Sequence, residues 1–237
     1  MADNRIITAL DVSSFDKMQD IVEVLGDEVS YYKVGMELYY SAGSKTIEFL
    51  KEQGKQIFLD LKLYDIPNTV GHGIAALTRL GANMMTIHGL GGRAMIQAAA
   101  EAARNTADSL GIERPKLLAI TALTSFDEQG WQEIGGQLPI ENHVIRLAKL
   151  AQESGADGVV ASPKEAPLVR EACGEDFLIV TPGIRPAFAA ANDQKRIMTP
   201  ADALKNGASK LVIGRPITQA EDPIVAVRKI IKEIEEV

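Results

Sequence analysis

The chain has 237 residues, of which 46% are hydrophobic and 24% are charged, the composition of an ordinary globular protein. Its formal net charge of −7 argues against a nucleic-acid surface, because binding to a phosphate backbone needs clustered Lys and Arg. The longest apolar stretches, such as Leu117 to Ile120, fall far below the roughly 18 to 20 residues of a membrane-spanning helix. The first residues also lack the features of a signal peptide, so we expect a cytoplasmic protein with neither nucleic-acid nor membrane partners.

Short segments rich in Ile, Val, Leu and Tyr recur along the chain, separated by amphipathic stretches of helical period. The predicted strands are Ile6 to Asp11, Tyr31 to Gly35, Gln56 to Leu63, Met84 to His88, Leu117 to Leu123, Gly158 to Ala161, Leu178 to Pro182 and Leu211 to Gly214. Predicted helices between them include Ser14 to Leu25, Lys45 to Gln53, Thr69 to Leu80, Ala94 to Asn105, Ile140 to Ser154 and Pro223 to Glu236. This alternation implies a parallel sheet with right-handed crossovers.

Eight such units favour an α/β fold of the (β/α)8 TIM-barrel class, formed by one catalytic domain over residues 1–237. The competing architecture is a doubly wound open sheet. No G-x-G-x-x-G motif follows the first strand, which removes the usual sign of a dinucleotide-binding sheet. A weak repeat supports the barrel, since Gly81-Ala82-Asn83, Gly155-Ala156-Asp157 and Gly207-Ala208-Ser209 each close a helix and open a strand.

In a β/α barrel the active site forms at the carboxyl ends of the strands. Polar residues stand at many of these predicted ends: Asp11, Lys33, Asp60, Lys62, Thr124, Thr181 to Arg185, Gly214 and Arg215. Asp60 and Lys62 lie two apart on one strand, so both project to the face that Phe58 shares. Charged side chains inside a parallel strand are costly unless they pair or function. The alternatives are a catalytic pair and a structural ion pair at the mouth of the barrel.

Asp65 follows Lys62 by three residues, in a turn that leads into the next helix. It could be a second carboxylate beside Lys62 or only a helix cap. An ammonium held between carboxylates is favoured in its charged form. Such a lysine is suited to donating a proton, whereas a Schiff-base lysine needs a neutral amine.

A phosphate site is predicted after the last two strands, where these barrels frequently bind phosphate. Glycines and arginines occur together in Pro182-Gly183-Ile184-Arg185 and in Gly214-Arg215, offering backbone N–H groups and guanidinium forks. Thr218-Gln219-Ala220-Glu221 has capping-box spacing and could begin a short helix there. Residues 186–194 could form a lid or an ordinary long loop. His72, His88 and His143 lack the spacing of a metal site, so we predict no metal and no cofactor.

The segment Phe58 to Thr69, which reads F-L-D-L-K-L-Y-D-I-P-N-T, closely resembles the signature of orotidine 5′-phosphate decarboxylases. Its D-x-K-x-x-D core is shared with related sugar-phosphate enzymes, whereas the I-P-x-T extension is typical of the pyrimidine branch. Further segments resemble the family in the same order along the chain: Ala9 to Asp11, Lys33 to Gly35, Leu123 to Ser125, Thr181 to Arg185 and Gly214 to Thr218. The resemblance implies a TIM barrel that converts orotidine 5′-phosphate to uridine 5′-phosphate without a cofactor, in the synthesis of UMP.

The same resemblance implies a role for each matching residue. Lys62 would deliver a proton to C6 of the pyrimidine, Asp60 would lie near the departing carboxylate, and Lys33 and Asp65 would complete an alternating charge network. In a homodimer, each subunit would contribute Asp65, Ile66 and Thr69 to the active site of its neighbour. Substrate contacts would come from Asp11 and Lys33 to the ribose, Thr124 and Pro182 to the base, and Arg185, Gln194, Gly214 and Arg215 to the phosphate.

The residues by themselves are also compatible with two other functions. A metal-dependent sugar-phosphate decarboxylase or aldolase with the same D-x-K-x-x-D core would need a divalent cation and would leave orotidylate unchanged. A non-catalytic phosphate-binding barrel would bind a nucleotide without turnover and would keep its binding geometry after Lys62→Ala.

Overall fold

A computed structural model of the protein describes residues 2–189 and 198–236. Its strands are β1 (Ile6–Ala9), β2 (Tyr31–Gly35), β3 (Gln56–Leu63), β4 (Met84–His88), β5 (Lys116–Ile120), β6 (Gly158–Val160), β7 (Leu178–Thr181) and β8 (Lys210–Ile213). Every strand pairs in parallel with its sequence neighbours, and β8 pairs with β1, so the sheet is a closed barrel. The predicted (β/α)8 class is therefore confirmed, and the open sheet is excluded.

Helices connect the strands around the outside of the barrel. They are α1 (Phe15–Leu25), α2 (Met36–Ala42), α3 (Lys45–Glu52), α4 (Pro67–Leu80), α5 (Gly92–Leu110), α6 (Glu128–Glu133), α7 (Ile140–Glu153), α8 (Ala166–Cys173), α9 (Pro200–Lys205), α10 (Arg215–Thr218) and α11 (Pro223–Glu235). Single 3-10 turns occupy Gly26–Glu28 and Gly89–Gly91. Over the described ranges, no helix is both long enough and apolar enough to cross a membrane. The extent of the catalytic domain, residues 1–237, stays a prediction.

Two buried clusters hold the barrel together. The side chains inside it are mostly aliphatic and aromatic, and they include Ile7, Phe58, Leu118, Val180 and Val212. The larger cluster lies between the strands and the surrounding helices and contains the alternate strand residues. This two-sided burial is why each strand is a short apolar run, and at the carboxyl ends the inner face becomes polar.

Several predicted elements end or begin elsewhere than expected. The first strand ends at Ala9 and the fifth at Ile120, so Asp11 and Thr124 lie in the loops beyond them. Thr218 does not begin a short helix, because it is the last residue of α10, which begins at Arg215 directly after β8. The next helix, α11, is capped by Asp222, whose Oδ1 accepts from the Val225 amide at 3.0 Å.

Candidate active site

The carboxyl ends of the strands surround a cavity with one charged side and one apolar side. Lys33, Asp60 and Lys62 form the charged side, and Thr124 and Pro182 also line the cavity. The apolar side chains that complete its wall are Phe58, Ile120, Ala122, Leu123, Val160 and Val212. The apolar wall would exclude water from around a ligand bound in this cavity. The ligand would thus interact directly with the fixed charges.

The charged side chains form a row of alternating sign. Lys33 Nζ lies 2.9 Å from Asp11 Oδ1 and 3.8 Å from Asp60 Oδ2. Lys62 Nζ lies 2.9 Å from Asp60 Oδ1. Asp60 and Lys33 are largely buried, with side chains 14% and 11% exposed, whereas Asp11 is 59% exposed. Each ammonium therefore has a carboxylate neighbour at 2.9 Å.

Asp60 and Lys62 reach the same cavity, as the alternation of strand residues predicted, but the strand between them is irregular. The pairing of β3 with β4 shifts between Leu59 and Leu63. Lys62 has a φ of +54° and is the one residue other than glycine with a positive φ in the described part of the chain. A left-handed conformation costs a residue with a Cβ about 1–2 kcal/mol and is typical of functional sites.

Thr86 on β4 holds this irregular segment, and the sequence reasoning missed it. Its hydroxyl accepts from the Lys62 amide at 2.9 Å and donates to Asp60 Oδ1 at 3.1 Å. The signal was available, since Met84, Thr86 and His88 alternate on the inward face of β4, where a threonine interrupts an apolar strand. The apolar wall of the cavity was also not predicted, apart from Phe58.

Gly35 leaves room for the Lys33 ammonium of the Asp11–Lys33 pair, and Gly214 lies beside Asp11. A Cβ on Gly35 would lie 2.9 Å from Lys33 Nζ, and a Cβ on Gly214 would lie 3.5 Å from Asp11 Oδ2. Gly214, the predicted phosphate ligand at the end of β8, is thereby placed beside the predicted ribose ligands. The absence of a side chain at Gly35 lets the Lys33 ammonium approach the backbone, whereas a Cβ on Gly214 would make only ordinary contacts.

His88 ends β4 beside the charged row. Its Nδ1 accepts from the Leu90 amide at 3.3 Å, and its ring lies 5.3 Å from that of Tyr64. Burial lowers the pKa of His88, and the nearby charge of Lys62 lowers it further. The lowered pKa favours the neutral imidazole, and its proton is on Nε2 because Nδ1 accepts a hydrogen bond.

Asp65, Ile66 and Thr69 lie apart from this cavity and are exposed; Asp65 and Ile66 lie on the turn between β3 and α4, and Thr69 lies in the first turn of α4. Asp65 Oδ1 accepts from the Ile66 amide at 2.6 Å. Within residues 2–189 and 198–236, the one carboxylate within ion-pair distance of Lys62 is Asp60. Of the two carboxylates expected beside Lys62, only Asp60 is thus supplied by the same chain within the described residues. Nor does Asp65 cap α4, because the capping position is Ile66.

The two arginines predicted to bind phosphate differ in their surroundings. Arg185 is buried, and its Nη1 donates to the Ile184 carbonyl at 2.9 Å. Arg215, the first residue of α10, is half-buried and faces a groove that it shares with Phe188 and Gln219. Gln194 and residues 190–194 of the proposed lid lie outside the described residues. Phosphate binding by this set stays a prediction.

No group of three or more His, Cys, Asp and Glu side chains arranged to hold a metal ion occurs among the residues that the structure describes. His72 and His143 lie on α4 and α7, the helices predicted for them.

Comparison with known proteins identifies one family over nearly the whole chain, the family that the segment Phe58 to Thr69 resembles. Residues 4–230 match the model of the orotidine 5′-phosphate decarboxylase / HUMPS family. An orotidine 5′-phosphate decarboxylase of Trichlorobacter lovleyi is 52% identical over 98% of this chain and 96% of its own. One from Moorella thermoacetica is 49% identical over 99% of this chain and 93% of its own.

A solved structure has the same architecture. The crystal structure of orotidine 5′-phosphate decarboxylase from Lactobacillus acidophilus superposes with a TM-score of 0.87 at 45% sequence identity, covering 98% of this chain and 99% of that one. The barrel, the D-x-K-x-x-D segment at its mouth and these likenesses agree, and the chain belongs to the orotidine 5′-phosphate decarboxylase / HUMPS family.

Proposed function

We propose that the protein decarboxylates orotidine 5′-phosphate to uridine 5′-phosphate and CO2, the last step of UMP synthesis, without a cofactor. The observation that carries this proposal is the Lys62–Asp60 contact of 2.9 Å at the charged side of a cavity with an apolar wall. The named activity of the Trichlorobacter lovleyi relative supports the choice of substrate.

In the proposed reaction the bond between C6 and the carboxylate carbon breaks, and its electron pair stays on C6. CO2 leaves, and the Lys62 ammonium transfers one proton to C6. The developing negative charge needs a preorganised positive group, since the pyrimidine offers no electron sink of its own. Asp60, whose Oδ1 contacts the ammonium, keeps Lys62 in place until the transfer.

Asp60 has a second proposed effect on the substrate. A substrate carboxylate placed beside Lys62 would also lie beside the Asp60 carboxylate, which is 14% exposed. Repulsion between the two anions would favour loss of CO2, with the cost of bringing them together met by binding energy elsewhere in the substrate.

We propose that the remaining substrate contacts come from residues at the carboxyl ends of the other strands. We assign the ribose hydroxyls to Asp11 and Lys33, which are joined at 2.9 Å, and the base to Thr124 and Pro182, which line the cavity. The phosphate would be bound by Gly214 and Arg215 after β8, with Arg185 and Gln194 as the further predicted ligands. Phosphate contacts distant from C6 supply binding energy that orients the base against Lys62.

We also propose a homodimer in which Asp65, Ile66 and Thr69 reach the partner's cavity. Three features support it: these side chains are exposed, Asp65 makes no ion pair with its own Lys62 within the described residues, and two large apolar side chains of the same segment, Tyr64 and Ile66, are exposed. Tyr64 and Ile66 are 59% and 65% exposed, and such a patch is typical of an interface. A cytoplasmic location and the absence of nucleic-acid partners stay predictions from the sequence.

A direct assay tests the proposal. The purified protein is mixed with orotidine 5′-phosphate in excess chelator, and the loss of the substrate's ultraviolet absorbance is followed over time. We expect turnover in the wild type and a loss of at least about 1,000-fold in kcat for Lys62→Ala, because the variant lacks both the proton donor and the positive charge.

Three outcomes would contradict the proposal. Turnover that requires an added divalent cation would count heavily against a cofactor-independent reaction. Metal dependence with inert orotidylate would favour a sugar-phosphate decarboxylase or aldolase. Tight binding of the nucleotide without turnover, unchanged in Lys62→Ala, would indicate a non-catalytic barrel.

A further inference from the structure

Strand β3 contains extra residues at the point where the two central charged side chains stand. Leu59 pairs with Met85, and Leu63 pairs with Ile87. Three residues of β3 therefore lie opposite a single residue of β4, which is Thr86. A bulge of this kind interrupts the ladder of backbone hydrogen bonds and redirects the side chains of the longer strand.

The Thr86 hydroxyl bonds to both ends of this bulge. An amide N–H can only donate, so the bond of 2.9 Å from the Lys62 amide uses the hydroxyl oxygen as acceptor. The single hydroxyl hydrogen is then left for Asp60 Oδ1, at 3.1 Å. Thr86 is completely buried, so no solvent competes for either bond, and the direction of each is fixed.

These two bonds set the geometry of the ion pair. Asp60 Oδ1 receives the Thr86 hydroxyl and, at 2.9 Å, the Lys62 ammonium. The carboxylate thus cannot rotate freely about its side-chain bonds. The Lys62 amide, which the bulge removes from the ladder, finds its partner in Thr86, and this bond supports the left-handed conformation at φ +54°. Without that bond the conformation would carry its cost of about 1–2 kcal/mol uncompensated.

We propose that Thr86 is a positioning residue for the Asp60–Lys62 pair, acting through the Lys62 amide and the Asp60 carboxylate. Thr86 itself does not line the cavity and has no contact with the substrate in this proposal. Its effect on turnover rests on the proposed decarboxylation, whereas its effect on the geometry of the pair does not.

The kinetic test compares two substitutions that separate the hydroxyl from the methyl group of Thr86. Thr86→Val removes the hydroxyl and keeps the branched shape, and Thr86→Ser keeps the hydroxyl. We expect Thr86→Val to lower kcat about 30- to 100-fold, because displacement of a catalytic group by about 1 Å costs on that order. KM should change by less than about threefold, since the contacts to ribose and phosphate are intact. Thr86→Ser should recover most of the lost kcat.

Thr78→Val is the matched control. Thr78 is also completely buried and also donates its hydroxyl hydrogen to a single acceptor, the Ile74 carbonyl at 2.8 Å, but it lies within α4, away from the cavity. We expect kcat of this variant to stay within about twofold of wild type per folded molecule. An equal loss of kcat in Thr78→Val and Thr86→Val, or no recovery in Thr86→Ser, would overturn the proposal.

A structural test does not depend on turnover. Crystal structures of the wild type and both variants should retain the Asp60–Lys62 contact and the left-handed Lys62 in Thr86→Ser and lose at least one of them in Thr86→Val. An unchanged pair in Thr86→Val would refute the positioning role whatever the reaction. If the geometry changes while the wild type fails to decarboxylate orotidylate, the proposed function falls and the positioning role stands.

If Thr86→Val does not fold, Thr86→Cys replaces it in both tests. A thiol is a weaker donor and acceptor than a hydroxyl, so kcat should fall to a value between those of the wild type and Lys62→Ala. Wild-type kcat in Thr86→Cys, with the ion pair unchanged in its crystal structure, would overturn the proposal.

Discussion

The charged row at the mouth of the barrel consists of two carboxylates and two ammonium groups, so its formal charges sum to zero, and its contacts run from 2.9 to 3.8 Å. Asp60 is the shared member, with Lys62 at one oxygen and Lys33 at the other. Because it is largely buried, its charge is screened less than that of a surface group. The electrostatic field at both lysines therefore depends on the position of Asp60.

Substitution of this shared carboxylate should affect turnover more than binding. We expect Asp60→Asn to lower kcat at least about 100-fold, since Lys62 loses the charge that holds it, a loss comparable to removal of an electrostatic contact in the transition state. KM should not rise, because the repulsion of the substrate carboxylate is removed at the same time. Steady-state kinetics checks this, and a raised KM at wild-type kcat would contradict it.

His143 on α7 is a titratable group outside the site. Its ring lies 4.4 Å from that of Trp131 on α6. Its Nε2 is buried and makes no hydrogen bond within the described residues. Burial lowers the pKa of His143, and the charge of Arg146 lowers it further. The folded state thus favours the neutral imidazole.

The stability of the protein should accordingly depend on this residue in mildly acidic solution. A folded-state pKa below the ordinary 6.5 means that the unfolded chain takes up the proton first as the pH falls. The free energy of unfolding should therefore decrease from pH 7 towards pH 5, and His143→Gln should reduce that slope. Urea denaturation at several pH values measures it. His72→Gln, at an exposed position on α4, is the control, and an equal change in slope there would contradict the assignment.

At the scale of elements, the barrel reuses one way of ending a helix before a strand. Gly81, Gly155 and Gly207 have φ values of +94°, +91° and +92°. Each stands at or just after the end of its helix, and the chain then turns into β4, β6 or β8. The repeated Gly-Ala pair in the sequence therefore reflects one backbone conformation, which a residue with a Cβ adopts only at a cost.

Substitution at one of these turns should lower stability without loss of the site. Gly155→Ala should reduce the free energy of unfolding by about 1–2 kcal/mol, because alanine is strained in the left-handed region. Gly130→Ala is the matched control, since Gly130 lies in α6 with a negative φ and its added Cβ would make ordinary contacts from 3.4 Å outward. Urea denaturation gives both values, and equal losses would contradict the explanation.

At the scale of the whole molecule, one side of the barrel mouth exposes a large apolar surface. The exposed side chains after β2, β3 and β4 are Met36, Tyr40, Tyr64, Ile66 and Leu90. Tyr40 and Tyr64 line the same groove, with Lys62 at its edge. A second copy of the chain placed on this surface would bury it and bring its Asp65 towards the site, as the homodimer proposal requires.

Mixing of two inactive variants tests the shared site. Lys62→Ala and Asp65→Ala should each be nearly inactive alone. In a hybrid dimer one site combines both changes and the other has none. Random exchange should therefore restore about a quarter of wild-type activity, since half of the dimers are hybrids with one intact site each. Native mass spectrometry verifies the exchange, and no recovery despite exchange would contradict the shared site.

The strand order and most strand ends were predictable because hydrophobic periodicity is a local property of the chain. β2, β3 and β4 begin and end at the predicted residues, and the face shared by Phe58, Asp60 and Lys62 followed from alternation alone. The short helices α2, α6, α9 and α10 lie in loops and are too brief to show a period. The role of each site residue rested on the likeness of one segment to a family, which alternation does not give.

The chain's local pattern was thus sufficient for the barrel class and for the set of polar residues that meet at its mouth. Contacts between distant segments required the folded molecule: the two bonds of Thr86 depend on the register of β3 against β4, and the burial of Arg185 and exposure of Asp65 depend on what packs around each loop. The reason is that periodicity records which face of an element is buried, whereas register and loop packing arise from pairings between residues far apart in the chain.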